Sequence, residues 1–211
     1  HGLYLESFDR TAAVSDTTAT SAGDSAVSMW TLAGATVGLT NVTATATTGG
    51  NNGVRATSVS ASSTLTFTGL TASSADSSAV HAATVVDSAI TINGGSTAAG
   101  FITGITAGAL SGTSSLTLDQ STFTSSASHG VHANGFAGAG VSFTATGVSS
   151  SGANTGLKVQ QFMTGGTLAV SDSSVTGATG SGAHVHNTAG GFAATFKNVV
   201  GSTTAGADNG F

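Results

Sequence analysis

A small residue followed by an apolar one recurs along this chain at nearly constant spacing. No other feature constrains the fold as much. The pairs are Gly2-Leu3, Ala26-Val27, Gly53-Val54, Ala79-Val80, Gly104-Ile105, Gly130-Val131, Gly156-Leu157 and Gly182-Ala183, separated by 24, 27, 26, 25, 26, 26 and 26 residues. A ninth pair, Gly210-Phe211, follows after 28. A period of this length is the signature of stacked repeats rather than of an ordinary globular core.

Other columns keep the same phase. Three residues after each start stand Leu5, Met29, Ala56, Ala82, Ala107, Ala133, Val159 and Val185. Six residues after it stand Phe8, Leu32, Val59, Val85, Leu110, Phe136, Phe162 and Thr188. An apolar-polar-apolar triplet follows: Val37-Gly38-Leu39, Leu65-Thr66-Phe67, Ile90-Thr91-Ile92, Leu116-Thr117-Leu118, Val141-Ser142-Phe143 and Leu168-Ala169-Val170. Only Val14 approaches it in the first unit. One more apolar residue closes most units: Val42, Leu70, Phe123, Val148, Val175 and Val199.

Each apolar group alternates with small polar residues, which is strand spacing, and no segment carries a sustained helical stripe. The connecting pieces are rich in Gly, Ser, Asn and Asp, which favour turns. Three short strands in about 26 residues describe one coil of a parallel β-helix. The expected fold is therefore an all-β, right-handed parallel β-helix (β-solenoid) of about eight coils of ~26 residues. Residues 1–211 form a single domain, a rod about 38 Å long at the usual strand spacing. A β-sandwich of short strands would not demand columns in phase. Asn and Asp mark two turns. One group follows the triplet (Asp16, Asn41, Asn93, Asp119, Asp172 and Asn198), where stacked amides can bond from coil to coil. The other precedes the coil start (Asp24, Asn51, Asn52, Asp76, Asn154, Asp208 and Asn209).

Composition narrows the function classes. Ala, Gly, Ser and Thr make up 133 of 211 residues, yet mean hydropathy is +0.27, too apolar for a solvated linker. Four basic residues against nine acidic ones cannot form a nucleic-acid surface. No cysteine is available for disulfides or thiolate metal sites, and no apolar run is long enough for a transmembrane helix.

Units such as Gly53-Val54-Arg55-Ala56, Ala79-Val80-His81-Ala82 and Gly130-Val131-His132-Ala133, each followed by a Leu-Thr-Phe-like triplet, resemble the passenger domains of bacterial autotransporters. These are pertactin-like right-handed β-helix adhesins of Gram-negative surfaces. The resemblance implies secretion across two membranes, a place at the extracellular bacterial surface, and adhesion or self-association. The partners it implies are surface glycans or proteins, or copies of the chain itself.

Alternation turns the residue two places after each start outward. That file reads Tyr4, Ser28, Arg55, His81, Thr106, His132, Lys158 and His184. The adjacent outward file reads Glu6, Trp30, Thr57, Ala83, Gly108, Asn134, Gln160 and His186. Two of the four basic residues and three of the six histidines stand in the first file. The candidate binding strip is therefore Tyr4, Arg55, His81, His132, Lys158, His184 and His186, suited to an anionic or sugar-rich partner. It should strengthen below about pH 6.5 as histidine charges. The plainer alternative is that outward positions simply carry the few long polar side chains.

Other chemistries find less support. His184 and His186 face the same way on one strand, and His129 and His132 are expected to flank a turn. Neither pair has a third ligand beside it, so no metal and no cofactor is expected. Asp119 and Asp172 lie two coils apart, but no basic residue accompanies them to hold a sugar acid. Ser128-His129-Gly130 only faintly echoes the Gly-His-Gly of polysaccharide-cleaving β-helices. Outward Thr66, Thr91 and Thr117, with Ser142 and Thr195, form a hydroxyl ladder that Gly38 and Ala169 interrupt, too broken for an ice-binding face. The expected function is a non-enzymatic surface rod. A filament subunit stacked end to end is the second expectation, because no polar cap is visible at either end and the chain reads as a segment of a longer rod. A polysaccharide-active β-helix enzyme is the third.

Overall fold

The computed structural model describes residues 2–161, 165–186 and 190–203. The chain winds into a parallel β-solenoid of about eight coils, each contributing one strand to each of three sheets. In the third coil these strands are Val54–Ser60, Thr64–Thr68 and Thr71–Ser74. Every strand pairs with its equivalents in the coils before and after it, always parallel. Among the described residues, no strand pairs with its own chain neighbour, which excludes a sandwich of hairpins.

Registry follows the sequence columns. Val54 lies beside Val27 and Val80, and Val80 beside Ile105, all buried. Leu65, Ile90 and Leu116 stack in the second sheet, as do Phe67, Ile92 and Leu118. A single coil could not enclose these side chains. Stacking removes them from water and supplies the ladder hydrogen bonds together. The small residue at the coil start marks a tight bend. A Cβ on Gly53 would meet the backbone oxygens of Ala44 and Ser73 at 2.8 Å.

Four sequence assignments move. The sixth-coil triplet is Phe143-Thr144-Ala145, paired with Leu116-Thr117-Leu118; Val141-Ser142-Phe143 lies two residues out of register. Thr144 therefore replaces Ser142 in the hydroxyl ladder. The closing apolar column splits into two neighbouring inward files. Phe123 and Val175 lie on strands of the third sheet, in register with Ser150 between them. Val42, Leu70, Val148 and Val199 instead precede their third-sheet strands. Volume is exchanged between the two files within a coil: buried Ser121 goes with Phe123, Val148 with Ser150, and Ser173 with Val175.

The Asn/Asp column after the triplet also splits. The left-handed corner holds Asp16, Asn41, Gln120, Asp172 and Asn198, with φ between 45° and 52°, together with Gly69, Gly94 and Gly147 at 61–66°. Asn93 and Asp119 sit one residue earlier, as the last residues of their strands. Coil-to-coil side-chain bonds do occur: Asn41 Nδ2 donates to Asp16 Oδ1 at 3.1 Å and Asn198 Nδ2 to Asp172 Oδ1 at 2.9 Å. Finally, His129 and His132 do not flank a turn; both lie on strand His129–Asn134. Phe162, Thr188, Asp208, Asn209 and the pair Gly210-Phe211 lie outside the described residues.

Candidate binding face on the first sheet

The outer face of the first sheet is built by strand alternation. In strand Val54–Ser60, Val54 and Ala56 point into the core, which turns Arg55 outward between them. Repeated along the rod, this brings Tyr4, Ser28, Arg55, His81, Thr106, His132, Lys158 and His184 into one continuous registered file. His186 continues the neighbouring file behind Asn134 and Gln160. All seven predicted residues thus share one face. They form two clusters, because Thr106 with its neighbour Gly108 separates His81 from His132.

The first cluster is aromatic and cationic. The Arg55 guanidinium carbon lies 5.3 Å from the centroid of the Trp30 ring, within cation–π range. Trp30 and Tyr4 are 39% and 41% exposed, which leaves flat aromatic surface open beside a fixed positive charge. Burial, and after it the Arg55 charge, hold the His81 imidazole below its ordinary pKa.

The second cluster gathers His129, His132, Lys158, His184 and His186. The His184 and His186 rings lie 4.7 Å apart, and the His129 and His132 rings meet edge-on at 5.1 Å. Strict alternation would send residues three apart to opposite faces. The bend at Gly130 breaks that alternation; a Cβ there would meet the Ser151 backbone nitrogen and oxygen at 2.8 Å. His129 is only 7% exposed. The buried ring nitrogens His129 Nδ1, His132 Nε2 and His186 Nδ1 have no hydrogen-bond partner. A half-open cavity of about 360 Å³ lies against this cluster, lined by His129, Asn154, Thr155, Lys158, Ser181 and His184, with Gly180.

Electrostatics here run one way. Burial, then the charges of Lys158, His132 and His184, lower the His129 pKa to about 4. His132 is lowered by burial, then by Lys158 and His186. His186 is lowered by desolvation, then by His184 and Lys158. The expected strengthening at about pH 6.5 is therefore displaced to lower pH for these rings. Arg55 and Lys158 are the basic residues of the first file other than histidine, and Glu6 in the adjacent file is acidic.

Sequence reasoning placed Trp30 in the adjacent file but left it out of the strip, and it set His129 beside a turn rather than on this face. The spacing His-x-x-His across a glycine at a coil start was the available signal. Among the described residues, no group of three or more His, Asp or Glu is placed to hold a metal ion. Among the described residues, no helix is long and apolar enough to cross a membrane. Comparison of the chain with protein-family models, curated proteins and solved structures finds no match in any of the three.

Proposed function

We propose that this chain is a non-enzymatic, extracellular surface rod of the autotransporter-passenger kind, which adheres through the outer face of its first sheet. The observation that carries this reading is the registered file from Tyr4 to His184. Half of the chain's basic residues stand in it, on a protein whose net charge is −5. Exposed Trp30 beside Arg55, with exposed Tyr4 two coils away in the same file as Arg55, supplies aromatic surface for sugar rings, and the cations supply attraction to acidic groups. A flat face with separated anchors suits an extended polymer better than a small substrate. The right-handed winding belongs to the same proposal.

Binding to immobilised acidic and neutral glycans and to intact cells would test it. Replacing Arg55, His81, His132, Lys158 and His184 together by Ser should weaken binding at least tenfold, while circular dichroism and the melting curve stay essentially unchanged. Unchanged binding by a folded variant would remove this face from the adhesive role.

A further inference from the structure

The cavity beside the second cluster is lined by basic and hydroxyl side chains. Lys158 supplies a fixed positive charge and His184 a second basic group. Thr155 and Ser181 supply hydroxyls and Asn154 an amide, and among the described residues no carboxylate lines the cavity. His129 closes one wall, more than nine-tenths buried, with its Nδ1 unpartnered. The volume of about 360 Å³ suits one sugar unit.

We propose that this cavity is a subsite for one oxyanion of an acidic glycan, a carboxylate or a sulfate ester, held by Lys158, His184 and His129 with the Thr155 and Ser181 hydroxyls. This deepens, and rests on, the glycan-binding reading of the first-sheet face. Charge-assisted hydrogen bonds favour an oxyanion over a neutral hydroxyl at such a donor set. Among the described residues, the groups whose charges act on His129 are Lys158, His132 and His184, all basic, so the site is left for an oxyanion to neutralise. Binding of an oxyanion should tighten as pH falls and His129 takes up a proton.

The test uses the full chain and its histidine ring resonances at pH 5.5. The probes are inorganic sulfate, glucuronate, a chondroitin sulfate hexasaccharide and neutral N-acetylglucosamine. Sulfate and glucuronate should shift the His129 and His184 signals and raise the apparent pKa of His129; N-acetylglucosamine should do neither. Lys158→Gln should weaken glucuronate binding about tenfold, while Lys197→Gln, on the second sheet, leaves it unchanged. Absent shifts, equal shifts in Lys158→Gln, or equal loss in Lys197→Gln would each overturn the subsite. Hexasaccharide binding lost in Arg55→Ser but kept in Lys158→Gln would overturn the subsite and leave the adhesive face standing. Glucuronate binding at His129 without hexasaccharide binding would support the subsite and remove the adhesive reading.

Discussion

Ser63 and Ser88 stand one above the other where the first sheet turns into the second, and the backbone N–H of Ser63 donates to Ser88 Oγ at 3.1 Å. The pattern repeats: the Ala35 N–H donates to Ser63 Oγ at 3.0 Å, and the Ser88 N–H to Ser114 Oγ at 3.4 Å. The chain is turning there, so each buried N–H needs a side-chain acceptor. Ser88→Ala should therefore cost about 1–2 kcal/mol, because it strands a buried donor. Thr84→Ala, exposed on the same coil, should change stability by less than about 0.5 kcal/mol. Urea unfolding of both variants checks this; equal costs would show that water replaces the serine acceptor.

The left-handed corner gives a second expectation. Gly147 adopts φ 61°, between Gln120 at 45° and Asp172 at 50° in the adjoining coils. Space does not decide what fits, since an added Cβ would lie 3.4 Å from Gln120 Cγ, close to an ordinary contact. Backbone conformation does. Gly147→Asn should stay within about 0.5 kcal/mol of the parent, and Gly147→Val should cost about 1–2 kcal/mol. Similar melting temperatures for the two variants would contradict a left-handed residue at this corner.

One inward file of the second sheet is uneven. Leu118, Ala145 and Val170 are registered neighbours, and Ala145 is the smallest of the three. A small apolar void there is lined by Leu118, Phe143, Ala145 and Val170, among others. Ala145→Val should raise stability by about 1 kcal/mol, whereas Ala145→Phe should overpack and destabilise by about 1–3 kcal/mol. A lower melting temperature for Ala145→Val would mean that Phe143 already fills the space of its coil.

The coil count, the three-strand repeat and the outward file were legible because each rests on a period kept through the chain. Val54, Val80 and Ile105 could be aligned by counting alone. Legibility failed where neighbouring positions share a chemistry. Asn93 and Asp119 resemble corner residues but end strands, because Gly94 and Gln120 take the positive φ. Phe123 and Val148 both read as closing apolar residues, yet they belong to different files, because a coil can place bulk in either. The second cluster was only half visible. His132 and Lys158 follow from alternation, but the orientation of His129 depends on a glycine bend that breaks it. The Ser ladder was invisible, because in a chain with 31 serines a buried one carries no distinguishing signal.

The bend that brings His129 against His132 also sets an acid limit on the fold. The folded-state pKa of His129, about 4, lies below the ordinary histidine value of 6.5. Above pH 6.5 the ring is neutral in both folded and unfolded chains and costs nothing. As pH falls toward 4, the unfolded chain takes up a proton that the folded one refuses, so stability is lost through that window. The full effect is about 3 kcal/mol. His81, His132 and His186, also lowered, act in the same direction. His129→Thr copies the residues paired with this position in the adjoining coils, Thr103 and Thr155. The stability lost between pH 7 and pH 4, measured by urea unfolding, should be smaller in His129→Thr by up to about 3 kcal/mol. Carboxylates titrate alike in both proteins and cancel in the comparison. Identical pH profiles would mean that the His129 ring reaches water in the folded chain and is not held neutral against the second cluster.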